Sequence, residues 1–233
     1  MRRVSIASLM ALGTVAGCGW LISSDVTETD FALPMKSFSL DASMFNVPTG
    51  LMQDVPCGSG QIVTDCCAPP PPLPAPDCTA NMISCDQNDS GMMVCMAQMA
   101  VSQSAPINLG QEVPALNSVT GVLNIKIKKI SYKVDANTLT VNLPDIILYV
   151  APQGVTDPND PNAQKFGTLP AIASMTTPSG DVVLEPNAAQ VLNNYTKNIQ
   201  AGFTIIAGTT LKVSHAPAGR IDMTISGTLA ASL

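Results

Sequence analysis

The sequence predicts a mainly β fold, either an antiparallel β-sandwich or a curled sheet, with one amphipathic helix and a preceding disulfide-rich segment. From residue 105 onward, apolar and polar residues alternate over about seven short stretches, which is the period of strands with one buried face. A single stretch, 188–199, repeats its apolar residues at helical spacing. Six cysteines crowd into residues 57–95, and such density is typical of a disulfide-stabilised segment.

The composition agrees with this fold class. Hydrophobic residues make up 46% of the 233 residues, enough for a substantial core, whereas aromatic residues are only 4%, so aliphatic side chains and methionine must fill it. The 19 prolines and 16 glycines suit strands and loops better than a helical bundle. Beyond the N-terminal segment, no apolar run reaches the roughly 20 residues of a membrane-spanning helix.

The N-terminus has the pattern of an export signal. Two arginines at 2–3 precede an apolar stretch at 4–15, and small residues follow it. The tetrapeptide Val15-Ala16-Gly17-Cys18 resembles the lipobox of bacterial lipoproteins. The resemblance implies that residues 1–17 are a removed signal peptide. It also implies that Cys18 carries acyl chains, each buried methylene contributing about 0.8 kcal/mol to membrane binding.

This resemblance predicts a membrane-anchored lipoprotein of the cell envelope. Gly19 favours the outer membrane, because many lipoproteins kept at the inner membrane have aspartate there. The alternative is an ordinary signal peptide in which Cys18 has no special role. Behind the anchor we expect a lipidated tether over 18–34 and a cysteine-rich segment over 35–104 with a strand near 35–45. A β-rich domain over 105–233 completes the predicted organisation.

The cysteine count supports the same interpretation. Seven cysteines is an odd number, and assigning Cys18 to lipid leaves six for three disulfides in an oxidising compartment. These six are Cys57, Cys66, Cys67, Cys78, Cys85 and Cys95. About 12 of 15 pairings stay open once the strained Cys66–Cys67 pair is excluded. Zinc is disfavoured, because the segment has no Cys-x-x-Cys pair and the single histidine, His215, is distant in sequence.

Two motifs have the composition of metal sites. Met93, Met96 and Met99 share a spacing similar to that of some envelope copper proteins, and thioethers suit Cu(I). The alternative, which we favour, is methionine packing beside the disulfides. In the loop 151–165, Asp157, Asn159 and Asp160 offer oxygen ligands to Ca²⁺, but the spacing is not that of an EF-hand, and the Asp-Pro pairs favour plain turns. We therefore expect no bound metal or other cofactor.

The β-rich domain is predicted element by element. A strand over 123–134 changes phase at Lys128–Lys129, which predicts a β-bulge, and a turn at 135–137 leads to a return strand over 139–143. Further strands are expected near 146–150, 182–184, 203–213 and 221–229, the last two forming a hairpin. The helix should begin at Asn187 with Gln190 completing a capping box, and Gly202 should terminate it. Its apolar stripe comprises Ala188, Val191, Leu192, Tyr195 and Ile199.

This order of elements over roughly residues 106–233 resembles the late-embryogenesis-abundant, water-stress-type sandwich domain. The resemblance implies a β-sandwich in which one helix precedes a final hairpin. The chain departs from that family at one point, because it lacks the Asn-Pro-containing strand end.

Charge is distributed unevenly along the chain. Residues 18–118 carry ten acidic residues and one basic residue, whereas residues 119–233 carry seven acidic and eight basic residues. The acidic balance argues against a nucleic-acid partner. Four lysines, Lys126, Lys128, Lys129 and Lys133, form a ridge on one predicted strand. They are candidates to bind an anionic lipid, polysaccharide or acidic partner, to dock the acidic N-terminal half, or to remain a solvated strand face.

No catalytic constellation is evident. His215 is the sole candidate general base, and an extended chain would turn the adjacent Ser214 to the opposite face. No nucleophile elbow or phosphate-binding loop is present in the sequence. We therefore expect a lipid-anchored, non-enzymatic envelope protein with a structural or protein-interaction role, its partners being the membrane and other envelope molecules. The alternatives are a lipoprotein that binds a hydrophobic or anionic ligand, and Cu(I) handling by the three methionines.

Overall fold

The computed structural model describes residues 28–45, 47, 54–58, 66, 82–88, 90–114, 116, 124–198 and 200–232. It confirms the predicted fold class: two antiparallel sheets pack face to face as a sandwich with one helix of more than a turn. The strands are β1 Thr29–Asp41, β2 Met82–Gln87, β3 Met93–Ile107, β4 Asn124–Asn137, β5 Ile146–Pro152, β6 Gln164–Leu169, β7 Ser179–Asp181, β8 Val183–Leu184, β9 Phe203–Val213 and β10 Arg220–Ser232. The helices are α1 Leu109–Glu112 and α2 Ala188–Thr196, with a 3₁₀ turn at Ala42–Met44.

The smaller sheet has the strand order β1-β10-β4-β7, and the larger sheet has the order β2-β3-β9-β5-β6-β8. Alternation along each strand decides which side chains meet between the sheets. On β5, for example, Ile146, Leu148 and Val150 are buried in the core, whereas Ile147 and Tyr149 lie on the outer face and are half-buried. The core therefore belongs to both sheets, and neither could bury its apolar face alone.

The sandwich begins earlier than the sequence indicates. The predicted tether over 18–34 overlaps β1, whose residues from Thr29 onward pair with β10. Phe31 and Leu33 bring this part of the strand into the sheet, because both pack on the core. The predicted boundary at 104/105 falls inside β3, which pairs with β9 along eleven positions. Strands from the cysteine-rich segment are thus part of the larger sheet.

The predicted hairpin after β4 is wrong. β4 continues to Asn137, and residues 138–145 then cross from the smaller sheet to the larger one. Leu139 and Leu143 are buried as their alternation indicates, but only Leu143 makes a bridge, to Ile172. The backbone of 138–140 instead bonds to the first residue of β10 and to the turn before it: the Thr138 amide donates to the Arg220 carbonyl, and the Thr140 amide donates to the Ala218 carbonyl.

Two other predicted connections differ. β9 and β10 lie in different sheets and face each other across the core, so they are not a hairpin. The predicted strand at 182–184 is divided, because β7 pairs with β4 in the smaller sheet and β8 pairs with β6 in the larger one. Val182, between them, is buried in the core. By contrast, the predicted bulge is confirmed: the register of β4 against β10 skips Lys128, between Ile127 and Lys129.

The helix α2 confirms the predicted stripe, with Ala188, Val191 and Leu192 buried and Tyr195 packed against the core. The capping box is wrong. Asn187 is the N-cap residue, but its side chain makes no capping hydrogen bond. Its ψ of 8° differs from the extended conformation in which a cap side chain reaches the first turn. Ile199 lies outside the described residues, and Gly202, at φ +68°, comes after the helix has ended at Thr196.

Candidate functional site

The first candidate site is the cysteine-braced edge of the larger sheet, formed by β2, residues 54–58 and Cys66. Disulfides join Cys57 to Cys85 and Cys66 to Cys95, with Cα–Cα distances of 6.0 and 5.5 Å. The sulfurs of Cys57, Cys66 and Cys95 all lie within 4.8 Å of one another, so the two bridges are neighbours. Of the six predicted disulfide cysteines, Cys67 and Cys78 lie outside the described residues.

Hydrogen bonds place the 54–58 segment in the sheet. The Cys95 amide donates to the Val55 carbonyl at 2.8 Å, and the Cys57 amide donates to the Met93 carbonyl at 3.2 Å. The pairing of β3 with β9 stops at Ala97. Closer to the start of β3, residues 54–58 take the place of β9 as the neighbour of β3, with a bridge between Pro56 and Val94. The disulfides thus fasten the 54–58 segment and Cys66 to the ordered strands β2 and β3.

The three methionines of the predicted copper motif do not converge. On a strand, positions three apart face opposite sides, so Met96 lies on the face of β3 opposite to Met93 and Met99. Met99 is buried in the main core, and Met96 lines a cavity beside His215. The spacing would bring thioethers together on a helix but separates them on β3. Met96 and Met99 are buried, as the alternative of packing predicts, whereas Met93 is exposed.

A polar cluster lies where β9 ends. The His215 Nδ1 atom is 3.2 Å from the Ser214 hydroxyl and 3.4 Å from the Asp54 Oδ1 atom. A hydrogen bond from the Ser214 hydroxyl is the largest cause that lowers the pKa of Asp54, and His215 lowers it further. With the Ser214 proton directed to Asp54, the hydroxyl oxygen can accept from His215 in the tautomer that carries its proton on Nδ1. The cluster ties the 54–58 segment to β9.

The geometry of this cluster differs from that of a hydrolase triad. In a triad the acid and the nucleophile bind different nitrogens of the histidine, so that the second nitrogen can take the nucleophile's proton. Here both approach Nδ1. The sequence prediction that Ser214 turns away from His215 is wrong, because the extended conformation of β9 stops at Val213. Asp54 was not predicted from the sequence, because no local pattern connects it to His215, which is 161 positions away in the chain.

The lysine ridge on β4 is paired with carboxylates of the same chain. Lys128 Nζ is 2.6 Å from Asp30 and 3.5 Å from Glu28, and Lys126 is 3.3 Å from Glu28. Lys129 pairs with Asp181 at 3.1 Å, and Lys133 pairs with Asp135 at 2.7 Å. The hydrogen bond to Asp30 raises the pKa of Lys128. Of the roles predicted for the ridge, the structure shows that Lys126 and Lys128 dock acids from the N-terminal half.

The candidate calcium loop uses its carboxylates in turns. Asp157 Oδ1 accepts from the Asn159 amide at 2.8 Å, and Asp160 Oδ1 accepts from the Asn162 amide at 2.8 Å. The same two oxygens accept from the side chains of those asparagines. Each carboxylate therefore closes its own local turn, as the alternative interpretation of this loop predicts.

The second candidate site is an open cleft of about 680 Å³ on the outer face of the larger sheet, which we call the outer cleft. Strands β3, β5 and β9 supply its floor, and the loops that carry Asp145 and Asp157 form its sides. In contrast, two cavities that lie between the sheets among the described residues hold only about 20 Å³ each. Among the cavities lined by described residues, the outer cleft thus offers the space for a ligand of ordinary size, and it lies outside the core.

Comparisons with known proteins identify no family. No family model matches the chain, and no curated protein matches it. Solved structures with some similarity are empty-head Turnip yellow mosaic virus (12% identity, 100% of this chain and 90% of that chain, TM-score 0.26) and Desmodium yellow mottle tymovirus (10%, 100% and 96%, 0.24). A Macrobrachium rosenbergii nodavirus particle is similar at 11% identity, covering 99% and 94% with a TM-score of 0.26. Within the described part of the chain, no helix has the length and apolarity to cross a membrane.

Proposed function

We propose that this protein is a lipid-anchored component of the bacterial cell envelope that presents a disulfide-braced β-sandwich for non-enzymatic contacts with other envelope molecules. The pair of neighbouring disulfides is the observation that carries the proposal. Disulfides form and persist in oxidising compartments such as the periplasm and the cell surface. The export signal and the lipobox-like Val15–Cys18 tetrapeptide predict the same destination.

The beginning of β1 supports an anchor close to the sandwich. Only the ten residues 19–28 separate Cys18 from Thr29. Ten residues span at most about 35 Å. At this end of the smaller sheet, Lys126 and Lys128 hold Glu28 and Asp30. A lipid on Cys18 would therefore keep the domain near the membrane, with the start of β1 facing it.

The other functions predicted from the sequence have less support. A hydrophobic ligand would need space between the sheets, where the two described cavities hold about 20 Å³ each. An anionic ligand on the lysine ridge would compete with a carboxylate partner at all four lysines. Cu(I) handling would need three thioethers that β3 distributes over two faces.

Metabolic labelling with an alkyne fatty acid tests the anchor directly. The full chain is expressed in a bacterial host, and we expect label on the wild type and none on Cys18→Ala. Label is the decisive readout, because an uncleaved signal peptide would also hold the variant at the membrane. Cys57→Ser/Cys85→Ser is the matched control, since it removes two cysteines and should keep the label. Equal labelling of Cys18→Ala and wild type, or an unlabelled wild type, would overturn the proposal.

A further inference from the structure

The outer cleft is a preformed cavity with firmly held walls. The loop after β5 folds over the outer face of the larger sheet and buries Thr204 and Ile206, which face away from the main core. The Gly154 amide donates to the Thr204 hydroxyl at 3.3 Å, and the Tyr195 hydroxyl donates to the Asn162 carbonyl at 2.9 Å. The far wall is fixed because the Ala171 amide donates to Asp145 at 2.9 Å.

The floor of the cleft is open because β9 has a glycine there. A Cβ atom at Gly208 would lie 3.5 Å from the Pro158 ring and 3.8 Å from Ser102 Cβ, which is ordinary contact. A Cβ atom therefore fits at this position without strain, and the rest of a larger side chain would enter the space between the loop and β3. The volume of about 680 Å³ lies within the usual range for small-molecule sites, roughly 300–1,000 Å³.

The lining combines apolar surface with hydrogen-bonding groups. Seven of the fourteen lining residues have polar side chains, namely Ser102, Asp145, Tyr149, Asp157, Asn159, Thr209 and Thr210, and none of the fourteen is cationic. Asp145 and Asp157 each commit one oxygen, Oδ1, to a backbone amide. Their Oδ2 atoms remain to accept hydrogen bonds from a ligand. Tyr149 and Ile147, half-buried on the outer face of β5, add aromatic and aliphatic surface.

We propose that the outer cleft binds a neutral saccharide. Sugar hydroxyl groups donate well to carboxylates and to hydroxyl oxygens, while the C–H face of a pyranose packs on a tyrosine ring and on proline. An anion is disfavoured because the lining carries two carboxylates and no cation, and the nearby Lys165 is already paired with Glu185 at 2.6 Å. A lipid chain is disfavoured because it would remove water from the Oδ2 atoms of Asp145 and Asp157 without supplying a hydrogen-bond donor. This proposal does not depend on the anchor.

Calorimetric titration of the full chain tests the proposal. The protein is purified in a detergent without a sugar headgroup and titrated, with EDTA present, with chitotetraose, cellotetraose, maltotetraose and tetragalacturonate. We expect at least one neutral tetrasaccharide to bind with a Kd of about 1 mM or tighter, and no binding of the anionic one. If no neutral sugar binds, or if the anionic sugar binds most tightly, the proposal is wrong.

Substitutions then decide whether any binding is in the cleft. Tyr149→Ala should weaken it about tenfold or more, equivalent to about 1.4 kcal/mol, while Tyr149→Phe should retain the stacking surface. Asp157→Asn should weaken binding, whereas Asp160→Asn should not. Asp160 makes the same kind of turn in the same loop but does not line the cleft.

Gly208→Val provides an independent check on the location, because it fills the floor without replacing any hydrogen-bonding group. We expect loss of sugar binding in a variant that remains folded, with the circular dichroism spectrum of the wild type as the check. Unchanged sugar affinity in folded Tyr149→Ala and Gly208→Val variants would overturn the assignment to this cleft. If the anchor proposal failed instead, fatty-acid label would be missing while sugar binding remained, so the two outcomes are distinguishable.

Discussion

Between the two sheets, aliphatic and aromatic side chains such as Leu148 and Phe203 form one continuous core. At the cysteine-braced edge, the separate buried cluster consists of Val55, Cys66, Cys95 and Ala97. The first region derives its stability from apolar area removed from water. Among its described residues the second region has little apolar area, and its two disulfides limit the freedom of the unfolded chain instead. Covalent bracing is thus concentrated where the sequence offers too few large side chains.

Charge pairing also distinguishes the two halves of the sequence. The acids Glu28, Asp30 and Asp86 of the N-terminal half pair with lysines of the C-terminal half. The uneven charge along the chain therefore becomes complementary in the fold. These pairs are exposed, so we expect them to orient the N-terminal half more than to stabilise it.

The comparison predicts the largest effect for a substitution in the main core. Phe203→Ala should lower the free energy of unfolding by about 3–5 kcal/mol, because Phe203 is only 1% exposed and its loss leaves a cavity. Denaturant titration under non-reducing conditions measures the change. Val183→Ala is the control: Val183 is 68% exposed, and the change should stay within about 0.5 kcal/mol. Equal effects would contradict the division between core and surface.

Removal of one disulfide should have a smaller and more local effect. We expect Cys66→Ala/Cys95→Ala to lower the free energy needed to open this edge by about 2–4 kcal/mol. Hydrogen exchange should accelerate in β2 and at residues 54–58 while α2 keeps its protection, because the bridge braces only the edge. Faster exchange throughout the sandwich would show that the edge and the core unfold as one unit.

The Asp54 cluster predicts a pH-dependent contribution at the same edge. The folded state lowers the pKa of Asp54, so its contribution is complete above the ordinary aspartate pKa of about 3.9. It is lost as the pH falls through the lowered value. Asp54→Asn should therefore be less stable than wild type at pH 5, and the gap should narrow toward pH 2. Ser90→Ala is a nearby control, and a gap that widened on acidification would contradict the assignment.

The smallest effect is expected at the start of β1. Lys128→Gln removes the pairs with Glu28 and Asp30, but these groups are exposed, so the thermal midpoint should fall by about 2 °C or less. The difference from wild type should disappear in 1 M salt because salt screens the pair. Lys197→Gln, which removes the lysine directly after α2, is the control. A loss that persists in high salt would indicate packing by the lysine stem.

Strands with strong alternation were predictable, including β4 with its bulge, β5, β9 and β10. The return strand at 139–143 was not, because Leu139 and Leu143 alternate like a strand although their backbone crosses between sheets. β6 was missed, since in Gln164–Leu169 only Phe166 and Leu169 are buried hydrophobic residues. The alternation of apolar and polar residues indicates which side chains are buried. A buried side chain does not require its backbone to pair with a neighbouring strand.

The candidate sites were less predictable than the fold. The density of the cysteines was enough to predict that they form disulfides. Which cysteines pair depends on the register that puts Cys85 opposite Cys95, and no local pattern encodes that register. The outer cleft joins β3, β5 and β9 with two distant loops, so no single stretch of sequence carries its signature. Asp54 and His215 likewise come within contact distance only because the larger sheet brings residues 54–58 next to the end of β9.

Non-reducing peptide mapping of the protein from the membrane fraction tests the central claim, a lipid-anchored and disulfide-braced sandwich, most directly. We predict an acylated N-terminal peptide that begins at Cys18, together with cross-linked peptides joining Cys57 to Cys85 and Cys66 to Cys95. An unmodified Cys18 peptide, or free thiols at those four cysteines, would contradict it.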